Sequence, residues 1–234
     1  MLLSFLQVEA EALAGAAVPQ QEELSFSLID MAVKGGWLML VLLALSVVAI
    51  YIFAERVVAI RKASQIDKNF IKDVNDYLLS GKVRSAKMLC RRSDSSIARM
   101  IEKGVDRIDK PLDDIRTAVE NVSNLEVAKL EKGLPILATI SGGAPMIGFL
   151  GTVMGMVQAF FNMSQAGNNI DITLLSGGIY TAMITTVGGL IVGILAYFGY
   201  NFLTAKVTEL VYNMETATIK FMDAIGEPSS TENN

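Results

Sequence analysis

With 234 residues, 52% of them hydrophobic, and a mean hydropathy of +0.44, the chain is too apolar for an ordinary soluble domain, yet its 19% of charged residues is too many for a protein lying wholly in a bilayer. The net charge of -4 offers no nucleic-acid footprint, and the lack of any His excludes HExxH zinc sites and Ser-His-Asp triads. What remains is a mosaic of membrane spans and soluble helices.

In chain order, the opening MLLSFLQVEAEAL carries Glu9 and Glu11 inside its apolar run and no basic residues before it, so residues 1–34 read as an external amphipathic segment rather than a signal peptide. Three charge-free runs follow, Gly35 to Ala54, Gly133 to Ile170 and Ile172 to Ala205. Each is long enough for the roughly 20 helical residues that cross a hydrocarbon core of about 30 Å. The spans are assigned to 35–54, 133–161 and 173–203, with a short external loop at 162–172 holding Asp171. Of the 20 Lys and Arg, 17 lie between Arg56 and Lys132, which makes 55–132 cytoplasmic by the positive-inside rule and sets the N-terminus outside and the C-terminus inside.

The block 55–132 has helical periodicity throughout and no alternating strand pattern. The first span continues through ERVVAIRKA to about Ala63. Asp67 is the expected cap of a run with Phe70, Ile71, Val74, Tyr77 and Leu78 on one face, closed by Gly81. A second run carries Val83, Ala86, Leu89 and Cys90, and a third Ile97, Met100, Ile101, Val105 and Ile108. Cys90 has no partner for an intrachain disulfide and no His to activate it, so it reads as a buried reduced thiol. Asp109 then caps a helix with Pro111 in its first turn and a stripe of Leu112, Ile115, Val119, Val122 and Leu125, and this helix is expected to run on into the membrane, bent by Pro135 and Pro145. Past the third span, segment 204–234 begins as a helix. Leu203, Val207, Leu210, Met214, Ala217, Phe221 and Ala224 form a seam of alternating steps of 4 and 3 that must pack on other helices. The tail EPSSTENN reads as disordered.

The spans themselves are studded with small and hydroxylated residues. Ser141, Pro145, Gly148, Thr152, Gly155 and Ala159 share one face of the second span, with Gly151 and Gly155 as a GxxxG pair, and Thr181, Thr185, Gly189 and Gly193 repeat every four residues on the third, beside Thr186 and Gly188. Such faces pack helices closely, and a lone Thr there commonly bonds its own i-4 carbonyl. A cluster of Thr152, Thr181, Thr185 and Thr186 at one depth also offers a narrow wet path for a proton or small cation. A hydroxyl does not titrate near neutral pH, so these groups conduct but do not store a proton. No enzyme, cofactor or metal site is read from the sequence.

The runs GLPILATISGGAPMIGFLGTVMGMVQAF and SGGIYTAMITTVGGLIVGILAYFGYN, with GKVRSAKMLCRRSDSSIARMIEKG before them, resemble the MotA/TolQ/ExbB proton-channel family, its ExbB branch most of all, from about Val83 to Phe221. The resemblance implies an all-α, ring-forming homopentamer of the bacterial inner membrane. Its second and third spans would line a pore around helices of an ExbD-like partner, with H+ as the coupling ion and TonB as the transducer to outer-membrane transporters. It also implies that Thr152 and Thr186 take the family's pore-facing Thr positions. Where relatives place a Glu in GIAEAL, this chain has Thr181 in GIYTAM, so the protonatable acid is expected on the partner. A TolQ-like envelope motor, a non-conducting scaffold and a stand-alone channel remain as alternative readings.

Overall fold

In a bilayer a backbone amide has no water to bond, so a long apolar segment must close its hydrogen bonds internally as helix. The computed structural model describes residues 36–67, 69–165 and 172–226, and among them every regular element is an α-helix. In order these are α1 (Gly36–Ser64), α2 (Phe70–Leu79), α3 (Val83–Arg91), α4 (Ser96–Val105), α5 (Leu112–Glu131), α6 (Leu134–Gln165) and α7 (Ile172–Gly226). Three helices are long and apolar enough to cross a membrane: α1, α5 continued by α6, and α7. The protein is a multi-pass membrane protein, all-helical among the described residues. The expectations for the segment 1–34, for Asp171 and its loop, and for the tail beyond Gly226 lie outside the described residues.

The helix ends show where local sequence governs. Gly81 (φ +69) closes α2 with the paired bonds of a Schellman turn, Lys82 N–H to Tyr77 O (2.8 Å) and Gly81 N–H to Leu78 O (2.9 Å). Asp67 is not the cap of α2. Asn69 holds that position, and the Asp67 carboxylate accepts the Asn69 N–H (3.2 Å), a turn made two residues too early to cap the helix. Pro111 likewise takes the cap position of α5 itself, with extended backbone (ψ 147), so Asp109 caps nothing and Asp113 and Asp114 supply the favourable first-turn charge. Ser95 caps α4, accepting the Ala98 N–H at 3.1 Å.

The expected continuous helix into the second span is interrupted. Gly133 adopts φ +88, which breaks the helix between Glu131 and Leu134, and Pro135 falls in the first turn of α6, where its missing N–H removes no bond. An added Cβ at Gly133 would meet Ile52 Cγ2 at 3.3 Å, so the bend sits against α1. Pro145 is accommodated inside α6 without ending it.

One continuous core runs from the membrane region into the soluble helices. α7, about 80 Å long at 1.5 Å per residue, is its spine. The seam from Leu203 to Phe221 is buried against the soluble helices, with Met214 and Phe221 fully enclosed. Gly104 of α4 leaves room for the Phe221 ring, whose Cε1 would lie 2.6 Å from an added Cβ. In the α5 stripe Ile115 and Val119 are buried, but Leu112 and Leu125 are exposed. The inward face carries Ala118 and Glu126 instead, because the neighbours of α5 lie rotated from the all-apolar line.

Candidate functional site

α6 and α7 run antiparallel and share the most extensive interface in the protein. Their small residues set the separation. An added Cβ on Gly148 would stand 2.9 Å from Thr185 O, one on Gly189 2.6 Å from Ala144 O, and one on Gly155 2.8 Å from Ala182 Cβ. The Thr185 hydroxyl fills the space that Gly151 leaves empty. Gly193 admits the Pro145 ring and lies beside Ser141 O, the carbonyl that this proline deprives of its helical donor. The side chains of Phe149, Leu150 and Met154 point away from this interface and are exposed, as the helical spacing requires.

Two hydroxyls meet within this contact. Thr152 Oγ1 and Thr186 Oγ1 are hydrogen-bonded to each other across the helix pair. Thr152 Oγ1 also reaches Ala182 O on α7 (3.1 Å) and its own Gly148 O (3.4 Å), while Thr186 Oγ1 reaches Gly148 O on α6 (3.1 Å). Each hydroxyl has one proton to donate, so the pair has two complementary arrangements. Thr152 donates to Thr186, which donates to Gly148 O, or Thr186 donates to Thr152, which donates to Ala182 O. Passing between them reverses the direction of a short hydrogen-bonded chain. Along α7 the pair lies about 30 Å from Lys206 in helical rise, within the charge-free run.

The other two hydroxyls behave differently. Thr185 is buried and donates to Ala182 O (2.8 Å) on its own helix. Thr181, one turn nearer the loop, is half-buried and takes no part in the hydrogen bonds of the other three. The helix pair therefore joins Thr152 and Thr186, places Thr185 as a packing group, and leaves Thr181 apart. Gly142, Gly143 and Gly177 have open space where a Cβ would be.

Sequence periodicity missed a polar cluster at the other end of the spans. Glu126 is 3% exposed, and its carboxylate accepts from Ser96 Oγ (3.0 Å), Arg99 Nε (2.9 Å) and Lys129 Nζ (2.8 Å). Burial works to raise its pKa, but the bonds from Arg99, Lys129 and Ser96 and the Arg99 charge overcome this and hold the carboxyl below its ordinary range. Arg56, 8% exposed, donates from Nη1 to Lys129 O (2.9 Å) and pairs through Nη2 with Glu55. The signal in the sequence was a Glu among apolar stripe positions, which alone does not distinguish a buried ion pair from a solvated face. Cys90 is buried, and this burial, followed by the charge of Glu102, pushes its thiol up to about 12. Among the described residues no group of metal-ligating side chains is gathered.

Comparison with known proteins follows the same segment. The chain is 25% identical over 190 residues to a biopolymer transport protein ExbB homolog of Methanothermobacter thermautotrophicus, covering 81% of this chain and 67% of the relative. It is 28% identical over 180 residues to an ExbB-like biopolymer transport protein of Synechocystis, covering 76% of this chain and 71% of the relative. Over 93 residues it is 36% identical to the Tol-Pal system protein TolQ of Haemophilus influenzae, covering 40% of each. The family model described as the MotA/TolQ/ExbB proton channel family matches residues 92–216, more than half the chain and inclusive of the α6–α7 hydroxyl pair, and the chain belongs to that family.

Proposed function

We propose that this chain is the pore-wall subunit of an inner-membrane motor of the ExbB type, driven by proton motive force. Copies of it form a ring, a homopentamer, with the N-terminus outside and the C-terminus in the cytoplasm, and α6 and α7 of each copy face a central path. That path holds helices of an ExbD-like partner, whose work reaches outer-membrane transport through a TonB-like protein. The observation that carries this reading is the Thr152–Thr186 pair, a reversible two-hydroxyl relay held between opposed carbonyls in a charge-free helix pair. Thr181 borders the same path one turn further along α7 without bonding to the pair, and the titrating acid comes from the partner. H+ is the coupling ion; no cofactor or catalytic reaction is involved. The small residues Gly148, Gly151, Gly155, Gly189, Gly193 and Pro145 hold the wall thin and rigid. Similarity to a TolQ protein supports a second reading, in which the same wall serves an envelope-integrity motor.

Proton flux into liposomes tests the proposal. Flux should require the partner, and Thr152→Ala or Thr186→Val should lower it about tenfold, the effect of one lost relay bond worth roughly 1.4 kcal/mol in the barrier. Partner-independent flux in the wild type, or unchanged flux in both variants, would refute it.

A further inference from the structure

A cavity of about 310 Å³ opens between α1, α4 and α5, lined by Arg56, Lys62, Asp94, Arg99, Glu126 and Lys129. Its acids are already committed. Asp94 pairs with Lys62 at 3.0 Å, and Glu126 is held by both Arg99 and Lys129. Counting Glu55 beside Arg56, four cations face three carboxylates, which leaves one positive charge over. Arg56 is where that excess shows. Although nine-tenths enclosed, its Nε–H has no hydrogen-bond partner. A guanidinium enclosed with an unpaired N–H is under-neutralised where it sits, and an anion in the cavity beside it offsets the excess positive charge.

The place of the cavity selects among anions. Arg56 is the first cation after the charge-free run that ends at Ala54, about 30 Å along the helix from Gly36, the thickness of a hydrocarbon core. On α1, Val48, Tyr51, Glu55, Ala59 and Lys62 recur at steps of 3, 4, 4 and 3, so they lie along one face. Ala59 and Lys62 of this face line the cavity, while Val48 and Tyr51 above are exposed, Tyr51 by 67%. A ligand on this face meets cations at one end and apolar surface at the other. We infer that the cavity binds the phosphodiester of an anionic lipid from the adjoining leaflet, with its phosphate on Lys62 and Lys129 beside the Arg56 guanidinium and an acyl chain along Val48 and Tyr51. One phosphodiester monoanion balances the residual charge.

The test is lipid retention by the purified full chain in detergent, measured by native mass spectrometry and by the shift in thermal stability. The probes are dioleoylphosphatidylglycerol, dioleoylphosphatidylcholine and inorganic phosphate. Phosphatidylglycerol should be retained and stabilise the protein, and phosphatidylcholine should bind about tenfold more weakly. A Lys62→Gln/Lys129→Gln variant, altered only at side chains that are 66% and 71% exposed and so expected to fold, should lose about tenfold in phosphatidylglycerol retention. Tyr51→Ser should weaken retention without affecting any response to phosphate. Equal retention of the two lipids, or unchanged retention in the double variant, would overturn the site. Stabilisation by inorganic phosphate that also displaces phosphatidylglycerol would overturn the lipid assignment in favour of a soluble phosphate.

Discussion

Gly189→Ala is the sharpest test of how closely α6 and α7 must approach. The added Cβ would stand 2.6 Å from Ala144 O, 2.8 Å from Gly148 Cα and 3.0 Å from Gly148 N, all backbone atoms that no rotamer change can move aside. Ordinary contact begins near 3.4 Å, so the helices must part by about 0.8 Å (3.4 minus 2.6). Movement of that size stretches the crossed bonds Thr186 to Gly148 O and Thr152 to Ala182 O, each 3.1 Å, toward about 3.9 Å, beyond useful hydrogen bonding. Each such bond in a membrane protein is worth about 0.6 kcal/mol on average. Overpacking adds about 1–3 kcal/mol, so the loss should be on the order of 2–4 kcal/mol. Equilibrium unfolding in mixed micelles measures it, with Gly142→Ala and Gly177→Ala as controls, because no atom lies within 4 Å of a Cβ at either site. The controls should be neutral or gain up to about 1 kcal/mol from better helix propensity. If Gly189→Ala proved as stable as Gly142→Ala, the close approach of the two backbones would be refuted.

Three further outcomes follow from the soluble end of the molecule. Glu126→Gln should lower stability at neutral pH by about 1–3 kcal/mol, since Arg99 and Lys129 lose their buried acceptor. Because the folded carboxyl titrates below its ordinary range, its contribution is present above that range and lost as the pH falls through it, so the variant should show a shallower acid decline in thermal melts. The Cys90 thiol is raised to about 12 from 9.0, so the folded state holds a proton that the unfolded state releases, and stability from this group falls as pH rises from 9.0 toward 12. Cys90→Ala should flatten the alkaline decline, and the native thiol should resist maleimide at pH 8 until the protein unfolds. Gly133→Ala forces a side chain into φ +88 at the bend and should cost about 1–2 kcal/mol in the same unfolding assay, whereas a straight helix would gain from the substitution.

The helices, their apolar faces and the membrane region were legible because period and charge act locally. The Leu203–Phe221 seam named its buried residues before any partner was known, since steps of 4 and 3 keep a side chain on one face whatever lies opposite. The small residues of α6 and α7 likewise announced close packing. Less was legible wherever two segments far apart must meet. Asp67 and Asp109 have the chemistry of caps but stand outside the cap positions, which the backbone path of the connecting turns selects. Four Thr were placed at one depth by counting residues, yet only Thr152 and Thr186 face each other, because the rotation of each helix about its axis is set by where Gly148 and Gly189 allow the backbones to touch.

The sequence by itself determined that this is an all-helical membrane protein with three long apolar helices, because the cost of charge and of unpaired amides in hydrocarbon is paid residue by residue. Only the tertiary structure decided which hydroxyls bond each other across the helix pair, that α5 and α6 part at Gly133, and that Glu126 and Arg56 are enclosed at the foot of the spans. These depend on elements brought together from across the chain, Arg56 meeting the backbone of Lys129 and Thr152 that of Ala182, where separation in sequence carries no distance.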